Sequence, residues 1–377
     1  MKKTFKYALM VVAALAATAT MSSCSSDDDN DADDSIDNEN KEIIETYVED
    51  VVVSTYRSLA NATMELYDIC QELEANKDQA HVKKACDKWK EARVYWELSE
   101  AFLYGAAADY NIDPSIDSWP LEKSQLDILL DNMKNPNYKL DVDNLGYGLK
   151  GFHAIEYVLF RDGGERQVSD ISDLEVTYAV AVAENMRNHC IRLEAAWDGL
   201  DDVTSEKQQI LADAEMEPTL DYGEQLENAG LAGNAKYKTQ KAAFEEILTG
   251  ASDIADEVGN TKISDPCSSG NVLDVESWYS WNSIADYADN IRSVRNAYYG
   301  TLDGSISKHS VSVYVKGLDS AMDTKVRNAI DKAIKCIETE MPAPFRNHLT
   351  FAENQTAIDA CNDLKDALDE AIDLVNK

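Results

Sequence analysis

The stretch GFHAIEYVLF, residues 151–160, predicts a buried helix, because nearly every position is apolar or aromatic. His153 and Glu156 break this pattern. They are three residues apart and therefore share one helical face, one turn from each other. A neutral imidazole and a carboxylate in this arrangement can bind one divalent metal ion. The alternative is a His–Glu hydrogen bond inside a helical core, and the spacing alone leaves both interpretations open.

Helical periodicity continues over most of the chain on both sides of this stretch. A strand-like alternation occurs at 311–315, and it can equally open a helix. A polar stretch at 201–209, followed by Pro218, separates two sets of helices. We therefore expect an all-α fold with an N-terminal helical bundle at residues 41–210 and a C-terminal bundle at 211–377. The segments predicted to be helical are 42–73, 79–104, 122–133, 151–160, 172–197, 221–228, 236–258, 276–299, 311–338 and 351–375.

Two further acidic residues stand out upstream. Glu100 falls on the apolar stripe of the helix predicted for 79–104, one turn after Trp96. Charged side chains rarely face a core unpaired. Glu100 is therefore either a ligand, or a ligand's partner, or a carboxylate at the wet end of its helix. Asp117 lies in an irregular segment and precedes Trp119-Pro120, which favours an extended turn.

The motifs of several enzyme classes are missing from the sequence. It contains no HExxH and no GxSxG motif. The glycines at 146, 148 and 151 do not form a phosphate loop, because no strand precedes them and no Gly-Lys-Ser/Thr follows. The other histidines are expected to be surface or packing residues without carboxylate partners at helical spacing: His81, His189, His309 and His348.

The N-terminus is typical of a lipoprotein signal peptide, predicted at residues 1–23. Three lysines precede the short apolar run from Ala8 to Ala17, which is too short to span a membrane. Met21-Ser22-Ser23-Cys24 resembles a lipoprotein cleavage box. We expect a lipid anchor on Cys24 in the outer membrane. The alternative is an ordinary signal peptide cut near Ala17.

Residues 24–40 are rich in serine and aspartate and cannot pack, so they predict a solvated acidic tether. The segment also resembles the export signal that sends some lipoproteins of the Bacteroides group to the cell surface. A plain spacer and a surface-export signal both remain open. The full chain carries a formal net charge of −35, which argues against nucleic acid as a partner and suits the attraction of cations.

Six cysteines follow Cys24, in a chain expected to be exported, where disulfides are permitted. Cys70 and Cys86 lie symmetrically about a predicted turn, as do Cys336 and Cys361. Each pair is expected to be close enough to staple a helical hairpin, and buried free thiols are the alternative. Cys190 and Cys267 are far apart in sequence, and the sequence does not decide whether they pair. No CxxC motif suggests a zinc ribbon.

Three stretches together resemble the imelysin-like family of bacterial surface and periplasmic proteins. Residues 151–156 match its GxHxxE motif, and they follow EAFLYG at 100–105 and DPSIDSWP at 113–120. The third stretch is the pattern from Glu276 to Gly300. This resemblance implies an all-helical fold of two bundles packed side by side, with the GxHxxE helix near their interface.

The resemblance also implies a metal site. In relatives that act in iron uptake, the His and Glu of the motif are joined by an upstream helix Glu and an Asp. Matched residue by residue, the implied ligands are Glu100, Asp117, His153 and Glu156. Such an oxygen-rich set suits iron, manganese or calcium at least as well as zinc. The resemblance further implies that the second bundle closes the pocket through the region from Glu276 to Asp286, where Ser280, Asn282 and Asp286 offer polar groups. Residues 117–120 read Asp-Ser-Trp-Pro, closer to the imelysin branch than to the Asp-Ala-Arg of iron-uptake relatives.

The function expected from this reasoning is non-catalytic binding of a divalent or trivalent metal ion, with iron favoured, in iron uptake or homeostasis. The expected partners are that ion or an iron-containing ligand, and the membrane through the lipid on Cys24. The alternative is a metal-dependent endopeptidase of the imelysin type, which would need an open coordination position and a cleft for an extended peptide.

Overall fold

Apolar stripes at helical spacing fold as helices throughout the part of the chain that the structure describes, residues 36–377 of a computed structural model. The fold is all α apart from one two-stranded hairpin, β1 (Phe160–Arg161) and β2 (Gly164–Glu165). The helices of the first half are α1 (Asn38–Thr46), α2 (Ser54–Ala75), α3 (Gln79–Glu97), α4 (Ala106–Asp109), α5 (Ile112–Ile116), α6 (Lys123–Met133), α7 (Phe152–Leu159), α8 (Asp173–Asp198) and α9 (Ser205–Asp213). The helices of the second half are α10 (Tyr222–Glu227), α11 (Gln240–Glu257), α12 (Ser264–Ser269), α13 (Ser283–Tyr299), α14 (Val311–Leu318), α15 (Ser320–Lys335) and α16 (Ala352–Val375).

Two groups of helices make up the core. In the first half α2 packs against α3 and α8, and α7 contacts both α3 and α8. In the second half α11 packs against α13 and α16, and α15 packs against α16. Helices α3 and α13 join the groups, and residues 36–377 form one unit by their contacts. The predicted domain boundary near residue 210 stays a prediction.

Helix ends follow local rules that the sequence carries. Ser172 and Glu175 form the expected capping box at the start of α8. Asp37 caps α1 by accepting hydrogen bonds from the backbone N–H groups of Glu39 and Asn40. Helix α1 therefore starts within the last residues assigned to the acidic tether. The predicted signal peptide, Cys24 and the rest of the tether lie outside the described residues.

Three segments have π-helical hydrogen bonding, which widens the helix by one residue per turn. They are Tyr47–Val53, Val258–Ile263 and Cys336–Glu340. The second continues directly from α11 and carries Lys262, which is 1% exposed and faces the interior. A π segment is often found where a helix delivers a side chain to a functional site.

Two predicted helices differ in their bounds, and one ambiguous stretch is decided by the structure. The helix predicted for 79–104 ends at Glu97 and continues as a 3₁₀ turn at Glu100–Phe102. The helix predicted to begin at Glu276 begins at Ser283, because Ser277 and Trp281 have positive φ angles of 51° and 60° that interrupt a helix. The ambiguous stretch at 311–315 is helical, as part of α14.

Neither predicted pair is bridged in this structure, in which all six cysteines after Cys24 are free thiols, the alternative that the sequence left open. The closeness of the two cysteines in each pair stays a prediction. Five of the six cysteines are buried, and Cys267 is half-buried. Burial raises the pKa of Cys70 and of Cys361 to about 12, so both remain protonated thiols that pack as small apolar side chains. Among the helices of residues 36–377, none combines the length and apolar character needed to cross a membrane.

Candidate functional site

The site begins with a close contact between the start of α7 and the end of α5. Gly151 precedes α7 with a φ of 81°, and a Cβ atom at this position would lie 2.1 Å from the carbonyl oxygen of Ile116. Only glycine tolerates both conditions. The contact brings Asp117, the residue after α5, to His153 in the first turn of α7. Asp117 Oδ1 lies 3.2 Å from His153 Nε2, although the direction is not that of a hydrogen bond.

Glu156 is held from two sides. Its Oε2 atom lies 3.0 Å from His153 Nδ1. Its Oε1 atom accepts hydrogen bonds from the backbone N–H groups of Tyr279 (3.0 Å) and Ser280 (2.8 Å), and from the Ser280 hydroxyl (2.8 Å). Glu156 therefore fixes the orientation of the imidazole and anchors the loop at 275–282, which comes from the second half of the chain. This arrangement leaves Nε2 as the ring nitrogen available to a ligand.

A third acidic group reaches Nε2 from that same loop. Glu276 Oε1 lies 4.0 Å from His153 Nε2. Asp117, His153 and Glu276 each offer one donor atom, and these atoms all lie within 4.8 Å of one another. The three side chains are at most 3% exposed. His153 Nε2 makes no hydrogen bond in the part of the chain that the structure describes.

Two buried cations share the carboxylates. Arg93 of α3 pairs with Asp117 and Glu97, and its Nη2 atom lies 2.5 Å from Glu276 Oε1. Lys262 Nζ lies 3.2 Å from Glu276 Oε2. Carboxylates still outnumber cations, because six buried acidic groups face these two bases and leave four formal negative charges before His153 is counted. The six are Glu97, Glu100, Asp117, Glu156, Glu276 and Asp286.

The pKa values in the cluster follow from burial and charge together. Burial raises the pKa of Asp286 to about 6 and raises that of Glu97 well above its usual value. Burial opposes ionisation of Asp117 as well, but Arg93 and His153 hold the pKa of Asp117 well below its usual value. Burial lowers the pKa of His153, but its contacts with Asp117 and Glu156 outweigh this and raise it to about 9. Without a metal, His153 is therefore an imidazolium that partly balances the cluster.

The structure brings together three of the four predicted metal ligands, namely Asp117, His153 and Glu156. Glu100 joins the cluster through Lys262, whose Nζ atom lies 3.8 Å from the Glu100 carboxylate. Glu100 also lines an acidic cleft of about 420 Å³ that includes Asp113 and Glu257. The role of Glu100 as a ligand stays a prediction. Ser280 and Asp286 lie at the cluster as the resemblance implied, and Asn282 donates a hydrogen bond of 2.6 Å to Asp286.

Sequence reasoning missed four members of the cluster: Arg93, Glu97, Lys262 and Glu276. Arg93 had a readable signal, because it lies four residues after Trp89 and three before Trp96 on the buried stripe of α3. Glu276 had a signal only as the first residue of the region that the resemblance placed at the pocket, and its role as a donor depends on a loop that was predicted to be helical. The expectation that His81 lacks a carboxylate partner is also wrong, since Asp78 lies 2.9 Å from its Nδ1 atom.

Comparisons with known proteins agree with this geometry. The family model described as Imelysin, a peptidase M75 family, matches residues 52–371. The chain is 27% identical over 330 residues to Iron-regulated protein A of Synechococcus elongatus, covering 85% of this chain and 83% of that relative.

Two crystal structures share the fold. One is of a protein from Parabacteroides distasonis named as an iron-regulated protein A precursor; it is 30% identical, with a TM-score of 0.78, and the match covers 90% of this chain and 96% of the other. The other is an imelysin-like protein from Psychrobacter arcticum; it is 13% identical, with a TM-score of 0.55 over 90% and 94% of the two chains, and shows the fold alone. The chain therefore belongs to the imelysin family.

Proposed function

We propose that this protein binds a metal cation at Asp117, His153 and Glu276, with iron favoured, and that it serves iron uptake or homeostasis. The observation that carries the proposal is the buried Nε2 atom of His153. It has no hydrogen-bond partner in residues 36–377 and faces two carboxylates from different parts of the chain.

The donor spacing suits one ion. Two ligands bound at about 2.1 Å from the same ion lie up to roughly 4.2 Å apart. The distances from His153 Nε2 to Asp117 Oδ1, 3.2 Å, and to Glu276 Oε1, 4.0 Å, fall inside that range. Two carboxylates and one imidazole also form the kind of mixed oxygen and nitrogen set that iron and manganese accept. Arg93 now contacts both carboxylates, so an incoming ion would share their oxygens with it or displace it.

Charge supports the same conclusion. The excess of buried carboxylates is costly unless protons or a cation compensate it. A bound cation would replace the proton on His153 and stabilise the carboxylates in their ionised form, so binding would release protons. When bound, iron would supply positive charge, and the chain's own residues would hold, orient and bury it.

The choice of iron and the location rest on similarity and on the N-terminal sequence. Two relatives carry the name iron-regulated protein A, which supports iron as the ion here. The cleavage box at 21–24 supports a lipid anchor at Cys24 in the outer membrane. The serine- and aspartate-rich segment that follows resembles a surface-export signal, with a plain spacer as the alternative.

The experiment compares metal-dependent stabilisation in three proteins. Wild type, His153→Ala and the control His81→Ala are purified without chelators, and their metal content is measured. They are then melted with iron, manganese, calcium and zinc. His81 is a matched control because it also pairs with a carboxylate three residues away, but at the surface. An ion at 100 times its dissociation constant should add about 2.7 kcal/mol to wild type and to the control. Equal responses of wild type and His153→Ala would end the metal proposal.

The alternative function is a metal-dependent endopeptidase. A peptidase must admit an extended peptide beside its metal. The burial of Asp117, His153 and Glu276 favours binding over cleavage. Metal-loaded protein should leave a mixture of unfolded polypeptides intact. Cleavage by wild type that is lost in His153→Ala would favour the peptidase instead.

A further inference from the structure

A second cavity, of about 520 Å³, lies in the first half of the chain and includes none of the residues of the metal cluster. Lys150 and His189 line it, together with the aromatic rings of Tyr110 and Tyr147. Its size falls in the range of small-molecule sites, about 300 to 1,000 Å³. Lys150 lies just before α7, and His189 lies on α8.

The Lys150 ammonium group is buried without an ion pair among residues 36–377, and its Nζ atom lies 5.4 Å from the centroid of the Tyr147 ring. Lys150 is 4% exposed, and its Nζ atom donates one hydrogen bond of 3.2 Å, to the backbone oxygen of Asp143. No carboxylate lies within ion-pair distance of it among residues 36–377. An ammonium group has three donors, so two remain for a ligand. Burying such a charge without an acidic partner is costly.

His189 offers a second polar atom in the same cavity. It is 8% exposed, and its Nδ1 atom is buried without a hydrogen-bond partner in the described structure. Burial, with Lys150 and Arg192 nearby, lowers the pKa of His189 to about 4. At neutral pH the ring is therefore uncharged and can donate one hydrogen bond from Nδ1.

An unpaired buried lysine is unusual in this acidic chain. The chain has 70 acidic and 35 basic residues, and Lys150 is buried without an ion pair among residues 36–377. Arg192 stacks on Tyr110, with its guanidinium carbon 3.6 Å from the ring centroid. Asp143 and Asp141 are the acidic groups whose charge acts on Lys150, and Asp143 Oδ1 accepts a hydrogen bond of 2.6 Å from Asn185. The two basic and two acidic groups balance in formal charge, but neither carboxylate lies within ion-pair distance of Lys150.

We infer that this cavity binds a small organic monocarboxylate. The carboxylate accepts hydrogen bonds from Lys150 Nζ and His189 Nδ1, and supplies the ion-pair partner that Lys150 lacks among residues 36–377. The apolar part of the ligand packs on Tyr147, whose ring is 46% exposed at the cavity wall. A polyanion fits less well, because Asp143 would repel its additional charge.

The test uses benzoate and acetate as probes, the neutral benzamide as a control for charge, and inorganic phosphate as the polyanion. Binding to the full protein is measured by titration calorimetry and by thermal melting. The variants are Lys150→Met and Tyr147→Ala, and the matched control is Lys241→Met, which removes an exposed lysine elsewhere. Wild type and Lys241→Met should bind benzoate saturably and more tightly than benzamide or phosphate.

Loss of a charged hydrogen bond should weaken benzoate binding by Lys150→Met roughly tenfold or more. Tyr147→Ala removes an exposed ring and should fold normally, as its helical spectrum would confirm. It should lose affinity for benzoate while its affinity for acetate stays the same. The inference is overturned if wild type shows no saturable binding of either carboxylate, or if benzamide binds as well as benzoate. It is also overturned if Lys150→Met, folded by its spectrum, binds like wild type. If Lys150→Met does not fold, an unchanged benzoate affinity in Tyr147→Ala overturns it.

Discussion

At the scale of single residues, His153 and Glu156 have different roles, although the motif suggested that both bind the same metal ion. Glu156 uses both oxygens on protein groups, one on the imidazole and one on the loop at 275–282. His153 keeps Nε2 free of hydrogen bonds within the described residues. Glu156 is thus a positioning residue, and the three groups that converge on the proposed ion are Asp117, His153 and Glu276.

Glu156→Gln tests this division. The Gln oxygen can still accept from the Ser280 N–H, while its amide donates to His153 Nδ1 and places the proton of the neutral ring on Nε2. Metal affinity, measured by titration, should fall about 10- to 100-fold, with little change in the melting temperature of the metal-free protein. Ser280→Ala, which leaves the tautomer unchanged, is the control. An unaltered affinity in Glu156→Gln would show that the tautomer does not matter.

His189 gives a prediction about pH. Its pKa is about 4 in the folded protein and about 6.5 in the unfolded chain, so below pH 6.5 the unfolded chain binds the extra proton. This residue's stabilising contribution is therefore fully present above pH 6.5 and is lost as the pH falls towards 4, by up to roughly 3 kcal/mol.

Urea unfolding at pH 7 and pH 4.5 measures the effect. His189→Gln should lose less stability than wild type between the two values, and His348→Gln should behave as wild type. Lys150 and Arg192, the charged groups that act on His189, keep their positive charges over this range. Identical losses in wild type and His189→Gln would contradict the expectation.

Single residues also show what cannot be predicted from the sequence. A charged residue on an apolar stripe interrupts the helical spacing of apolar residues and can be recognised in the sequence. Glu100 was identified in this way, and Arg93 could have been. Whether such a residue binds a ligand or pairs with another buried charge depends on partners far along the chain. Arg93 and Glu276 are 183 residues apart, so no local pattern could join them.

At the scale of elements, two short contacts build the site, and neither belongs to a long helix. One is the approach of α5 to α7 at Gly151. The other is the loop at 275–282, where Gly163 donates a backbone hydrogen bond of 3.0 Å to the Tyr279 carbonyl and packs under the Trp281 ring. Long helices such as α8 and α16 were predictable from period and capping. The conformation of the loop at 275–282 was not predictable, because its positive φ angles occur together with contacts to the distant β1–β2 hairpin.

Gly151→Ala should separate Asp117 from His153. The added Cβ would meet the Ile116 carbonyl at 2.1 Å and force an alanine into a φ of 81°. Strain of this kind costs about 1 to 3 kcal/mol, measurable by urea unfolding, and the metal-induced rise in melting temperature should disappear. Gly146→Ala is the matched control, because a Cβ there meets nothing within 4 Å and φ is −59°. Equal stability of the two variants would show that the contact at Gly151 can relax.

At the scale of the whole molecule, composition and periodicity predicted the fold class, and the capping box at Ser172 marked one helix start within a residue. Symmetry about a turn suggested the two cysteine pairs, but symmetry alone does not orient two sulfur atoms for a bond, and the structure has no bridge at either pair. Their surroundings are apolar, and a protonated thiol packs there without a partner. The shared unit of residues 36–377 depends on contacts such as α3 with α13, which only the folded chain shows.

The hydrogen bonds between Glu156 and the loop at 275–282 have a consequence for the order of folding and metal binding. The imidazole is oriented by a residue that is itself held by backbone groups 123 and 124 positions later. A partly synthesised or half-folded polypeptide contains His153 without the backbone groups that hold Glu156 and so orient the imidazole. A metal ion would therefore bind at this site only after the chain has folded, and it would not nucleate folding.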